Sequence, residues 1–180
     1  MSSSWVPDIR TDRLDMASMS LAFMQALLEG DLTAAGLEIG ASVPAGLRER
    51  LHEFVLYRIP ALEADPESQP WLGRVLLERG PGRARTVVGT AGFHAPPDED
   101  GRVEIGYGVE PEQRGRGLAT EAVGGLMTWA REQGISRFRA SVGPANGPSL
   151  AIVRRLGFRE TGIRLDPIDG EELVFELDER

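Results

Sequence analysis

The chain has 180 residues, 41% hydrophobic and 27% charged, which suits one soluble folded unit with a real core. Twenty Lys and Arg against 28 Asp and Glu leave a net charge of −8, the wrong sign for a polyanion binder, so nucleic acid is not an expected partner; an acidic surface aids solubility, or attracts a cationic small molecule or peptide. With no cysteine, and with His52 and His94 far apart, neither a disulfide framework nor a thiolate or local metal site is expected. No apolar run approaches the roughly 20 residues of a membrane span. The start, MSSSWVPDIRTDRL, lacks a basic segment followed by an apolar one, so it does not read as a secretory signal, and the cytoplasm is the expected compartment.

Taken in chain order, TDRLDMAS (residues 11–18) reads as a first strand. SLAFMQALLE (20–29) has apolar residues at helical spacing, with Ser20 as cap and Gly30 as stop. A short helix follows over 32–37. Leu47, Leu51, Phe54 and Val55 mark another over 45–57. Pro60, Pro66 and Pro70 then predict a loop or a broken helix. Strands over 71–78 and 86–93 flank a Pro81-Gly82 turn, and APPDEDG (95–101) leads into a third strand, 103–109. These three read as an antiparallel meander. A long helix over about 117–133 ends at Gly134. Then come a strand (137–142), a helix (about 149–156) and a last strand (173–177). The expected fold is α+β, a three-layer arrangement with a mixed sheet.

The run QRGRGLATEA lies between strand 103–109 and the long helix. A helix start presents N–H groups without internal partners and carries partial positive charge. Glycines admit close approach of a ligand, successive amides can wrap an oxyanion, and Arg114 and Arg116 add donors. A phosphate or pyrophosphate is the guest such a turn suits, and tight packing is the alternative. The spacing is not that of a dinucleotide fold, and Leu118-Ala119 stand where a Walker loop needs Lys-Ser/Thr.

In VEIGYGVEPEQRGRGLATEAVGGLMTWA and RASVGPANGPSLAIVRRLGF, the chain resembles the GNAT superfamily of acetyl-CoA-dependent N-acetyltransferases. The family's pyrophosphate signature fits Arg114, Gly117 and Ala119. A downstream N-x-x-S/A motif fits Asn146 and Ser149, and Leu156-Gly157-Phe158 follow. TDRL near the start is typical of the branch resembling ribosomal-protein N-terminal alanine acetyltransferases. Strong similarity covers about residues 87–158, while 20–75 match only in layout. The resemblance implies one N-acetyltransferase domain over 1–180. Its sheet would be mixed and mostly antiparallel, with helices on both faces. The central parallel strands, 103–109 and 137–142, would part at a bulge and admit the cofactor's pantetheine arm. Val109 would contact that arm through its backbone. The turn of Arg114, Gly115, Arg116, Gly117, Leu118, Ala119 and Thr120 would hold the pyrophosphate. Gly106 and Gly108 would suit the bulge or close ligand approach.

Acetyl transfer to nitrogen needs a base to free the amine, and a donor for the thioester oxygen. On the resemblance, Glu104 is the expected base, with anchoring of a neighbouring arginine as its alternative; His94 is the runner-up. Ser149 is the expected donor to the departing sulfur, or else a helix cap, because Val153 stands where many relatives carry a tyrosine acid. Asn146 would bind the cofactor arm or order its turn. Trp5, Trp71 and Trp129 read as core or interface residues. The acceptor would be a primary amine, on a small molecule or a peptide N-terminus, in a ternary complex; a homodimer is compatible. A non-catalytic CoA-binding module is the alternative function.

Overall fold

Strand β3 (Arg74–Arg79) shows how the chain divides its core. Side chains alternate along a strand, so Val75 and Leu77 face one way and Leu76 the other. All three are fully buried, Val75 and Leu77 in one apolar cluster and Leu76 in a second. A strand buried on both faces needs cover on both, and that requirement sets the layers.

The computed structural model describes residues 6–82, 84–167 and 170–179. Trp5 therefore lies outside the described residues. Around β3 runs an eight-stranded sheet, counted among the described residues. Its order is β1 (Ile9–Arg10), β2 (Leu14–Ser18), β3, β4 (Arg85–Phe93), β5 (Arg102–Val109), β6 (Arg137–Val142), β8 (Gly170–Asp178) and β7 (Arg159–Asp166). Neighbours are antiparallel except β5 and β6, which are parallel and joined through a helix. This is the mixed, mostly antiparallel sheet that was expected.

Helices α1 (Leu21–Glu29), α2 (Leu32–Ile39) and α3 (Ala45–Ala64) cover the Val75 face with Phe23, Leu27, Ile39, Leu47 and Val55. Helix α4 (Leu118–Glu132) covers the Leu76 face with Leu118, Ala122, Leu126 and Ala130, and α5 (Gly147–Arg155) adds Leu150 and Val153 to that core. Each large apolar side chain so buried contributes about 1.5–3 kcal/mol. Local chemistry agrees with the packing. Ser20 Oγ accepts the Phe23 N–H (3.0 Å) to start α1, and Gly30 ends it at φ 79°.

Three details depart from the sequence reading. Helix α3 does not stop at Pro60 but runs through it to Ala64. The proline removes one bond, to the Leu56 carbonyl, while Leu62 beyond it is buried and holds the last turn down. Strand β7 was not expected, because its RETGIRLD segment is polar and its two large apolar residues, Ile163 and Leu165, are exposed. The bulge is not in β5. Leu76 pairs with Gly89 but Leu77 with Val87, so Val88 is the extra residue, in β4. Gly89 is required there, because a Cβ would sit 2.2 Å from the Gly108 carbonyl oxygen.

One arginine is fully buried. Arg74, 1% exposed, donates to the carbonyls of Pro7 (3.0 Å), Met16 (3.1 Å) and Pro70 (2.9 Å). Its guanidinium lies over Trp129, 5.6 Å from the ring centroid. Burial pushes its pKa down to about 10, with Asp8 opposing. Trp129 packs with Trp71 and Phe93, the three ring centroids 4.8–6.1 Å apart, so Trp71 and Trp129 are partly buried against the core. Arg74 thus ties the N-terminal segment, β2, the turn before β3 and α4 together. An Arg74→Met variant keeps the stem but strands three carbonyls. It should lose about 2–4 kcal/mol of stability, read as a lower urea midpoint at unchanged slope.

Candidate active site

The site begins where the parallel pair fails. Strand β5 pairs with β6 only from Arg102 to Glu104, opposite Arg137 to Arg139. Arg102 and Arg139 clamp this paired end by both donating to Glu176 of β8, at 2.8 and 2.7 Å. From Ile105 to Val109, β5 keeps its β4 partner but has none toward β6. A groove of about 540 Å³ opens there, lined among others by Tyr107, Val109, Gly115, Thr120, Asn146 and Ser149. A second cavity of about 330 Å³ continues between the strands past His94, Gly106, Ser141 and Glu172.

The glycine-rich turn forms one end of the groove. Gly115 (φ 74°) and Gly117 (φ 78°) take left-handed conformations that other residues rarely adopt. Gly117 is the N-cap of α4, and Glu121 N–H closes the first turn onto its carbonyl (3.1 Å). The amides of Leu118, Ala119 and Thr120 therefore have no partner within the helix. Of the residues expected here, Val109, Arg114, Gly115, Gly117, Leu118, Ala119, Thr120 and Asn146 all line the groove. The Arg116 side chain does not. It turns to β3, donating to Glu78 (2.6 and 2.8 Å) and to Gln113, so that its charge is paired within the fold. Arg114 donates through Nε to the Val109 carbonyl (3.1 Å), which pins the strand end to the turn.

The turn is braced by the TDRL segment. Glu121 accepts from Thr11 Oγ1 (2.6 Å), the Arg13 amide (2.7 Å) and Arg13 Nε (2.7 Å), while Arg13 Nη1 reaches the Arg116 carbonyl (2.9 Å). Arg79 in turn donates to the Thr11, Asp12 and Leu14 carbonyls and to Asp15.

Glu104 sits at the point of parting, held by an arginine. Its two oxygens lie 3.0 Å from the two terminal nitrogens of Arg164 on β7, whose Nε donates to Glu172 (2.8 Å). His94 Nδ1 lies 3.7 Å from Glu104 Oε1. Burial pushes the His94 pKa down; Glu104 raises it, and Arg58 and Arg164 lower it further. The His94 side chain is half-exposed and packs so close to Gly106 that a Cβ there would meet Nε2 at 2.7 Å. A side chain at 106 would therefore displace the imidazole from its present place. At Gly108 a Cβ would meet open space. On the α3 side a third cavity, about 280 Å³, is lined by Leu51, Phe54, Arg58, His94, Tyr107 and others.

Helix α5 forms the opposite wall. Asn146, not Ser149, is its N-cap, accepting the Ser149 N–H at 3.2 Å. The cap expected as the alternative for Ser149 thus falls to Asn146. Ser149 is spared that role, and its hydroxyl makes no hydrogen bond among the described residues. Tyr107 Oη donates to the Ser149 carbonyl (3.4 Å), and burial raises the phenol's pKa. Val153 is buried in the core at 1% exposure. Tyr107 lines all three cavities. Sequence reading singled out neither Tyr107 nor Arg58, Arg164 or Glu172. No local motif marks the last three, because each acts across elements distant in sequence.

Comparison with known proteins agrees with this geometry. Residues 44–159 match the family model described as an acetyltransferase (GNAT) domain. An N-acetyltransferase of Bacillus licheniformis named p20, whose function is uncharacterised, is 37% identical over 81 residues, 44% of this chain and 46% of that protein. The chain thus spans about half the length of the curated relatives it matches. The Salmonella typhimurium acetyltransferase that modifies the N-terminal serine of ribosomal protein L7/L12 superposes with a TM-score of 0.61 at 18% identity, over 96% of this chain and 99% of that one. The microcin C7 self-immunity acetyltransferase, solved with acetyl-CoA and AMP, gives 0.62 at 16% identity over 98% and 99%. These two likenesses are of fold.

The brace on α4 carries a pH dependence. Burial raises the Glu121 pKa, but the bonds from Thr11 and Arg13 outweigh it, and the net shift is downward. A carboxyl depressed in the folded state stabilises fully above its unfolded pKa of about 4.3, and that contribution is lost as pH falls through the lower folded value. The stability gap between wild type and Glu121→Gln, from urea unfolding, should therefore be constant from pH 7 to about 5.5 and shrink toward pH 3.

Proposed function

Because the chain belongs to the GNAT acetyltransferase domain family, we propose that it is an acetyl-CoA-dependent N-acetyltransferase, one domain over residues 1–180, acting on a primary amine. The observation that carries this is the joined set of cavities. A groove with unpartnered amides at one end meets, at Tyr107 and Gly108, a separate pocket on the α3 side. Two openings that share a wall suit a ternary complex of two substrates.

The residues present fit the cofactor. Gly115, Gly117, Leu118, Ala119 and Thr120 line one end of the groove at the positive end of α4, which suits a pyrophosphate. Val109 would meet the pantetheine arm through its backbone, and Asn146 would border it. Bound there, acetyl-CoA supplies an acetyl thioester whose carbon a neutral amine attacks, forming an N–C bond and breaking the C–S bond.

His94 takes the amine's proton, directly or through a water. It lines both the α3-side pocket and the gap, and its lowered pKa keeps it neutral, and so able to accept, at pH 7. Glu104 was the expected base. Its ion pair with Arg164 favours the anchoring alternative, in which it faces His94 Nδ1 and orients the ring. Ser149 and Tyr107 are the hydroxyls placed to donate toward the departing sulfur. The buried Val153 at the usual tyrosine position supports a second reading, a CoA-binding module without catalysis.

Calorimetry should show acetyl-CoA binding that adenosine diphosphate alone reproduces only weakly; no binding of either would overturn the proposal. Thiol release across an amine panel separates enzyme from module. With an active amine, His94→Gln should lower kcat/KM by about 100-fold or more. Glu104→Gln should cost less and move the lower break of the pH profile to lower pH, because it removes the charge that raises the His94 pKa. If Glu104→Gln costs as much as His94→Gln and abolishes that break, Glu104 is the base.

A further inference from the structure

Arg58 is an arginine without an anion. It comes from the middle of α3 and is 9% exposed. One terminal nitrogen donates to the His94 carbonyl at 2.6 Å. The guanidinium carbon lies 5.2 Å from the Phe54 ring centroid and 5.7 Å from that of Tyr57. Its Nε is buried and has no hydrogen-bond partner. No carboxylate pairs with it among the described residues. Burying a cation this way is costly, and burial does push its pKa down. The other deeply buried arginine, Arg74, spends its donors on three carbonyls between packed elements. Arg58 instead lines an open pocket whose apolar walls include Met19, Leu51, Phe54 and Phe93, with Thr90, His94 and Tyr107 as its other polar side chains.

We propose that this pocket takes the acceptor, and that the acceptor is a free α-amino acid with an apolar side chain, its carboxylate held by Arg58. The inference rests on the acetyl-transfer reading and names its substrate class. Three features converge on it. A guanidinium short of partners matches a carboxylate or a phosphate, and the small, otherwise mostly apolar pocket favours the carboxylate of a small molecule. An α-amino acid carries amine and carboxylate on one carbon, so the groups that meet them must be neighbours. Arg58 and His94 are neighbours through the 2.6 Å bond and the effect of Arg58 on the imidazole. The pocket, about 280 Å³, is just below the range of drug-sized ligand sites, which begins at about 300 Å³, as a ligand the size of an amino acid requires, and its apolar walls suit the side chain. Arg58 then holds the carboxylate, His94 faces the amine, and Tyr107 and Gly108 mark the way to the groove.

The test measures binding of L-leucine, L-leucinamide and a short leucine-initiated peptide by calorimetry, to the protein alone and saturated with CoA. It is repeated with Arg58→Gln and Arg58→Lys, each checked for an unchanged thermal midpoint. L-Leucine should bind at least about 30-fold more tightly than its amide, the scale on which a buried charge partner discriminates. Arg58→Gln should erase that preference, and Arg58→Lys should retain part of it. Equal affinity for acid and amide, tighter binding of the peptide, or no binding of L-leucine would overturn the proposal. The wild-type comparison needs no variant, so a misfolded variant leaves it decisive. Failure of the acetyl-transfer reading shows separately, as loss of acetyl-CoA binding.

Discussion

An inner strand of a sheet has backbone groups on both edges, and inside a folded protein each needs a partner. Strand β5 meets that requirement toward β4 along Ile105–Val109 but not toward β6. The rest of the site follows from this constraint. The shared Glu176 holds the first three residue pairs together, and beyond them the strands part, leaving an edge that a guest with backbone-like amides can complete. The glycine turn, His94, Tyr107 and Ser149 all border that gap. Glu104 stands at its origin, tied to the edge strand β7 through Arg164.

The arginines follow a second logic. An acidic chain with a basic glycine run suggests a local positive patch, yet few guanidiniums here are free. Arg116 is neutralised by Glu78, and Arg114 bonds the Val109 carbonyl. Arg13 and Arg79 brace the turn and the strand behind it. On the proposed reading, an anion at this turn would be met by the amides and the partial charge of α4, with Arg114 the one arginine of the run that also lines the groove. Such a site is set in place by the fold and suffers little reorganisation when charge arrives. Arg58, like Arg114, lines an open pocket with no carboxylate paired to it among the described residues, but its Nε is also buried without a partner.

Stability and function share these contacts. Arg74 gathers the N-terminal segment, β2 and α4 into one unit, and Thr11 and Arg13 fix the start of α4 through Glu121. The amides at that helix start are held from behind, by residues more than 100 positions away in sequence. TDRL thus has a physical role at the groove although it does not line it.

Much of this was legible in the residues alone. Period-two alternation in Val103–Val109, helical spacing in 20–29, and glycines at helix ends are local signals, because backbone geometry dictates them over a few residues. The turn residues of the groove were legible for the same reason, since a glycine turn and the helix start after it are contiguous in sequence; Val109, Asn146 and Ser149 came from the family resemblance, and Tyr107 was not picked out. What the tertiary structure decided are the pairings between distant elements. It moved the bulge to Val88, carried α3 through Pro60, turned Arg116 away from the groove and gave the α5 cap to Asn146. It also bound Glu104 to Arg164 and set Arg58 beside His94. None of these has a local signature. Each depends on which partner lies within a few ångströms once the sheet has formed, and residues 36 and 60 positions apart meet only by way of the fold.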